Sequence, residues 1–222
     1  MNRGSGFDTL PNELLLLIGD EISDDPRTLK ALALVSKRCH DFFGSFLYQD
    51  AGKKALHTLA LSKKSRLPLT GAHPASFVKK LSVSPTRELS AIVFQKQMAS
   101  AMKNIALHAA SGTIRAFTFR SNFSLPEALG GSVPPALRLL EELVLNCPFP
   151  VKNTRLSLSL ANSLCGPSLI ALDLDFRCPL ESPPDYPTVT KLIKQLPTSS
   201  PGLKRLSLQI RRSEHRSDTF AK

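Results

Sequence analysis

The residues able to do chemistry are few and scattered. Five histidines, His40, His57, His73, His108 and His215, stand in unrelated surroundings, and none neighbours a recognisable nucleophile motif. Four cysteines, Cys39, Cys147, Cys165 and Cys178, form no CxxC pair and show no zinc-ligand spacing. They read as reduced, mostly buried thiols of an intracellular protein. Glycine-rich phosphate-binding patterns are absent. Asp173 and Asp175 flank Leu174 in an alternating stretch, so on a strand both carboxylates project to the same outer side. Such a pair could attract a ligand rich in Lys or Arg, although a solvated strand face is the plainer reading. No catalytic residue, metal site or cofactor is expected.

The elements that must carry these residues are built on leucine. Apolar content is 42%, typical of a globular chain, and Trp is absent. The formal net charge of +11 is unevenly spread. Residues 1–50 hold five Lys/Arg against eight Asp/Glu, whereas residues 51–222 hold twenty-four against ten. That asymmetry suggests two parts with different partners. A pI near 9.8 is also an electrostatic footprint of nucleic-acid binding. Yet Lys53-Lys54, Lys63-Lys64, Lys79-Lys80 and Arg211-Arg212 are dispersed and not interleaved with aromatics, so nucleic acid is the least favoured partner. The start, MNRGSGFD, is not a basic n-region, and the aliphatic run at residues 14–18 is shorter than the roughly 7–15 residues of an h-region. Nothing approaches the roughly 18 apolar residues of a membrane span. The expectation is a soluble protein of the cytoplasm and/or nucleus with no membrane partner.

The run at residues 14–18, LLLLI, is the least ordinary feature. At about 100° per residue it goes right round a helix, which must then be covered on every side. Pro11 is expected at the first helical position and Glu13 in the first turn. Gly19 is expected to loosen the helix, and SDDP to end it. Asp25 is a good N-cap with Pro26 behind it, opening a second helix over 26–37 with Leu29, Leu32 and Val35 on one face. A third, over 38–48, places Cys39, Phe42, Phe43 and Phe46 at i, i+3, i+4 and i+7, with Gly44 inside. Residues 51–76 read as a connector carrying one short helix near 56–61. Fifty residues in three short helices bury little surface, so this piece must lean on the rest of the chain, on a partner, or on both.

From residue 77 another rhythm begins, with apolar residues at x, x+3 and x+5. Val78, Leu81 and Val83 form the first unit, and Ile114, Phe117 and Phe119 the second. Leu140, Leu143 and Leu145 form the third, Leu169, Leu172 and Leu174 the fourth, and Leu203, Leu206 and Leu208 the fifth. This is the LxxLxL signature of a leucine-rich repeat. The last two apolar residues of each unit point inward from a short strand, and stacked units share one core. Return helices are expected over 84–112 and 188–196. In the first, Ser84 is the cap, Pro85 follows it, Gly112 is the stop, and Leu89, Ile92, Val93, Met102, Ile105 and Ala109 form a stripe. Residues 155–164, RLSLSLANSL, read as an irregular return. The repeat is imperfect: only Asn122 matches the usual ladder Asn, where the other units have Thr86, Pro148, Arg177 and Arg211. The rhythm ceases after Ile210, so the expected last strand has an exposed edge and the array reads as a shortened relative of longer repeat proteins. The outward residues Ser82, Thr118, Val144, Asp173 and Ser207 would line the concave face, flanked by Lys80, Arg115, Arg120, Glu142, Asp175 and Arg205. The expected target-binding set is Arg115, Thr118, Arg120, Val144, Asp173, Asp175, Arg205 and Ser207.

Over residues 7–50 the pattern Leu10-Pro11-x-Glu13-Leu14, then Ile18, Ile22, Leu29, Leu32, Val35-Ser36-Lys37 and Leu47-Tyr48, resembles the F-box. Cys39-His40 departs from it, near where many members carry an aromatic. The later units resemble, more loosely, the leucine-rich repeats of F-box proteins. The resemblance implies a three-helix motif that docks on a Skp-type adaptor, and through it on a cullin, with the repeats binding an unknown protein to be ubiquitylated. Leu10, Pro11, Leu14, Ile18, Leu29, Leu32, Val35, Ser36 and Lys37 match the motif as adaptor-facing or motif-core residues, and the pattern does not separate the two roles. The resulting expectation is an α/β chain: an F-box at 7–50, a connector at 51–76, an irregular array of five repeats at 77–210 and a polar tail at 211–222. It would be a non-enzymatic substrate receptor of an SCF-type ubiquitin ligase. The competing readings are a docking protein unconnected with degradation and, behind it, a basic nucleic-acid-binding module.

Overall fold

A computed structural model describes residues 6–52, 55–61, 73–84, 90–109, 114–121, 128–129, 133–148, 162–179 and 186–213. A 3-10 turn, Gly6–Thr9, leads into α1 (Asn12–Glu21). Pro11 stands one place earlier than expected: it is the extended residue before the helix, and its carbonyl accepts the Leu15 N–H at 3.2 Å. Asp25 caps α2 (Pro26–Ala33), its Oδ1 accepting from the Arg27 and Thr28 N–H groups at 3.0 and 3.2 Å. This helix is shorter than the stretch to residue 37 that its apolar spacing suggests. The N–H groups of Leu34 and Val35 fold back to the Ala31 and Leu32 carbonyls, both at 3.1 Å, as a closing turn. Ser36 then adopts an extended conformation and accepts the Cys39 N–H at 3.1 Å, which starts α3 (Lys37–Gln49).

These helices close over their own cluster of Leu15, Leu29, Ala33, Cys39 and Phe43. Gly19 does not loosen α1. A Cβ there would lie 2.6 Å from Cε2 of Phe46, so the glycine is what lets that ring approach the helix. Arg38 ties the bundle together, donating to the Leu10 carbonyl at 2.6 Å and to Oδ1 of Asn12 at 2.8 Å.

Without a break, α3 passes into β1 (Asp50–Ala51), the first strand of a sheet. The others are β2 (Lys80–Val83), β3 (Ala116–Arg120), β4 (Glu142–Pro148), β5 (Ala171–Pro179) and β6 (Arg205–Ser213). All six are parallel and lie in sequence order. Register aligns the units: Leu81, Phe117, Leu143, Leu172 and Leu206 form one row, and Val83, Phe119, Leu145, Leu174 and Leu208 another. A repeated backbone device sets that register. The Lys79 carbonyl accepts from both Arg115 and Ala116 N–H, and Arg115 from Glu141 and Glu142. Glu141 accepts likewise from Ile170 and Ala171, and Ile170 from Lys204 and Arg205. One carbonyl per unit thus takes two donors from the next.

Helices cover the inner face. Buried Leu56 and Leu59 of α4 (Ala55–Ala60), Phe94, Met98, Ala101, Met102 and Ile105 of α5 (Ala91–His108), and Leu192 and Leu196 of α6 (Tyr186–Ser199) join the inward strand residues in one cluster. The stretch expected as a connector therefore supplies a strand and a packed helix to the sheet body. Ser90, not Ser84, caps α5, its Oγ accepting the Val93 N–H at 3.4 Å. Ile92 and Val93, expected in the buried stripe, are exposed in the first turn of α5. At the other end β6 runs through Ser213, into the stretch expected as a polar tail. Thr86, Leu89, Gly112, Asn122 and residues 155–161 lie outside the described residues. The chain is thus a mixed α/β protein with a six-stranded parallel sheet, and no described helix is long and apolar enough to cross a membrane.

Candidate protein-interaction surfaces

The phase of α1 is set by what lies beneath it. Leu15, Ile18, Gly19 and Ile22 face the bundle, because Phe43 and Phe46 of α3 occupy that side. The intervening residues are then forced outward: Leu14 is 45% exposed and Leu17 65%. Leu34, in the turn that closes α2, is 76% exposed, and its neighbour Val35 is exposed too. The bonds from Arg38, three residues beyond Val35, tie the start of α3 to Leu10 and Asn12 at the start of α1. Exposed apolar side chains that gather on a surface mark a contact with another molecule far more often than scattered ones do.

The nine motif residues separate accordingly. Leu29 is buried in the bundle, and Leu10, Ile18 and Leu32 pack against its core. Ser36 works as a cap. Pro11, Leu14, Val35 and Lys37 are exposed. The motif did not single out Leu16, Leu17 and Leu34, which are as exposed as any apolar residue in the bundle. In a run of five aliphatics no spacing reports the phase. The only hint was Gly19, the one position small enough to admit a ring.

A second surface is the outer face of the sheet. Ser82, Thr118, Val144, Asp173 and Ser207 stand in one register row, and Arg120, Asn146, Asp175 and Gln209 in the next. Arg205 falls in a separate row with Lys80, Ala116, Glu142 and Ala171. Arg115 precedes β3, and its guanidinium pairs with Glu141 at 2.9 Å in the open. Asp175 is not a free carboxylate. Asn146 Nδ2 donates to its Oδ2 at 2.8 Å, the Arg211 guanidinium lies 3.2 Å from Oδ1, and its side chain is only 14% exposed. The expected acidic pair is therefore one outward carboxylate, Asp173, beside one that binds β4 and β6 together.

Two groups with reactive potential, His73 and Cys165, are buried. The Ala75 N–H donates to Nδ1 of buried His73 at 3.1 Å, so that nitrogen carries no proton and Nε2–H faces the Leu61 carbonyl at 3.0 Å. The ring stacks on His108, with centroids 4.5 Å apart. Asn104 of α5 donates to the Leu59 and Leu61 carbonyls at 2.8 and 3.0 Å, closing the end of α4. Burial pushes the Cys165 thiol up to about 11, so it is no nucleophile at neutral pH. Among the described residues no group of His, Cys, Asp and Glu is arranged to hold a metal.

No family model, curated protein or solved structure matches the chain.

Proposed function

We propose that the chain is a substrate-receptor subunit of an SCF-type ubiquitin ligase, with residues 7–50 acting as an F-box and the strands behind them as leucine-rich repeats. The observation that carries this reading is the exposed apolar set Leu14, Leu17, Leu34 and Val35, on a bundle that already has a filled core and whose α1 and α3 Arg38 ties together at their starts. Such a surface gains from being covered: burying one leucine contributes roughly 1.5–3 kcal/mol. A Skp-type adaptor, bridging to a cullin, would cover it. Pro11, Leu16 and Lys37 border the patch, while Leu10, Ile18, Leu29 and Leu32 support it from within. The outer sheet face, with Thr118, Val144, Asp173 and Ser207 in its central row, would meet the target protein. No catalytic residue is assigned, since transfer of ubiquitin belongs to other subunits of such a ligase. The reading places the chain in the cytoplasm or nucleus.

Co-purification from cells tests it. The chain should bring down both a Skp-type adaptor and a cullin, and Leu14→Ser/Leu17→Ser/Leu34→Ser should lose both. Adaptor without cullin would favour a docking role unconnected with degradation, and absence of both would sink the proposal. These three positions discriminate better than Leu10 and Pro11, because Leu10 also packs on the bundle core.

A further inference from the structure

The outer edge of β6 is an unfinished copy of a surface used four times within the sheet. In the row Leu81, Phe117, Leu143, Leu172 and Leu206, the first four side chains are sealed, whereas Leu206 is 45% exposed. Leu203, Leu208 and Ile210 are only half-buried, although their counterparts Leu169, Leu174 and Phe176 are covered. The backbone repeats the message. The carbonyls of Lys79, Arg115, Glu141 and Ile170 each take two N–H donors from the following unit, and the Lys204 carbonyl occupies the fifth such position with no donor among the described residues. No described strand pairs with β6 on its outer side.

Charge says what kind of strand fits. Neighbouring units already match opposite signs: Arg115 with Glu141, and Asp175 with Arg211. The exposed cations of β6 are Lys204 and Arg205 at one end and Arg211, already paired with Asp175, at the other, with only Ser207 and Gln209 between them on the outer face. In the register centred on Leu208, an antiparallel second copy of β6 would set Arg205 against Arg211, and like charges directly opposed across strands are unfavourable.

We propose that the edge of β6 docks an extended acidic peptide as a seventh parallel strand. Its apolar residues fall at the alternate positions opposite Leu206, Leu208 and Ile210, and its leading acidic residue opposes Arg205, Arg211 being already paired with Asp175. Main-chain hydrogen bonds, beginning at the Lys204 carbonyl, supply affinity, and the alternating pattern with its leading acidic residue supplies selectivity. The proposal does not rest on the adaptor reading. The edge lies at the opposite end of the sheet from β1 and α3, so both surfaces can be occupied at once.

The probe is a fluorescein-labelled, end-blocked peptide, Asp-Leu-Thr-Leu-Thr-Leu-Glu, titrated by anisotropy against the full chain. Saturable binding is expected, with hydrogen-exchange protection gained over 205–213. Leu206→Asp, at a half-exposed position, should bind about fivefold to tenfold more weakly, as should Arg205→Glu, with circular dichroism and thermal melts of both variants showing that they remain folded. A peptide beginning with Lys in place of Asp should restore affinity to Arg205→Glu but not to Leu206→Asp. Equal affinity for wild type and both variants overturns the proposal. So does binding that appears only after removal of residues 214–222, which would make that segment the occupant. Self-association of the chain abolished by Leu206→Asp would make it a second copy.

Discussion

Within the bundle, Leu15 is sealed while the next two residues, Leu16 and Leu17, face outward; within the sheet, Leu143 and Leu145 are both sealed and Val144 between them faces out. Both regions are rich in leucine, and the difference lies in how each handles the surplus. The sheet has five successive neighbours in register, so each inward row is covered by the next and by the helices behind it. The bundle has three short helices and a separate cluster of five buried side chains. It runs out of interior before it runs out of leucine, and the remainder forms a surface. A stack can absorb apolar residues by adding units, and a small closed bundle cannot. The two regions are nonetheless joined directly: α3 runs straight into β1, and the Gln49 carbonyl accepts the Lys79 N–H at 3.0 Å.

The largest effects should come from one deletion made in each region. Phe117→Ala, in the middle of the sheet, should cost about 3–5 kcal/mol and melt the whole chain cooperatively. Phe43→Ala removes a similar volume, yet its cluster is separate, so amide exchange should rise within residues 6–49 well before the sheet loses protection. If both variants unfolded everything together, the two clusters would be one cooperative unit. Next comes Gly19→Ala. Its Cβ would press on the Phe46 ring, and we expect a loss of about 1–3 kcal/mol by denaturant titration. A helix-stabilising gain instead would mean that the ring moves aside freely. Of similar or smaller size is Asp175→Ala, which strips Asn146 and Arg211 of their shared partner. A loss of about 1 kcal/mol, by the same titration, would mark Asp175 as a clamp between strands, whereas unchanged stability would return it to the list of free surface acids.

The smallest effect is a pH dependence confined to the bundle. The Thr28 hydroxyl, with the Thr28 and Arg27 N–H groups, holds the Asp25 carboxyl below its usual 3.8. A group whose folded value is depressed stabilises above its unfolded value, and that contribution is lost as pH falls through the folded one. Cap stability should thus persist near neutrality and fade on the acid side of 3.8. Asp25→Asn should keep the cap and flatten that acid limb in a circular-dichroism titration.

Much of the sheet was legible because its signal is periodic. The x, x+3, x+5 spacing located five strands, and Val78, Ile114, Leu140 and Leu169 are buried as the pattern required, whereas Leu203 of the fifth unit is only half-buried. Residues 50–51 carried no such signal: Asp-Ala has neither alternation nor length, and it becomes a strand only because β2 offers an edge. The expected start of α5 at Ser84-Pro85 differs from the observed cap at Ser90, because both places carry a Ser able to cap and no local pattern ranks them. The exposed leucines of α1 and the neutralisation of Asp175 were illegible for a shared reason. Each depends on a residue far along the chain, Phe46 in one case and Arg211 in the other, whose approach no local pattern records.

The central claim is that the surplus leucine of the bundle is a docking surface. It is tested most directly by calorimetric titration of a purified Skp-type adaptor into the full chain and into Leu14→Ser/Leu17→Ser/Leu34→Ser, with thermal melts of both. The account predicts saturable one-to-one binding to the wild type and none to the variant, with stabilities agreeing within about 0.5 kcal/mol because the three positions are on the surface. Equal affinity for both, with both folded, would contradict it.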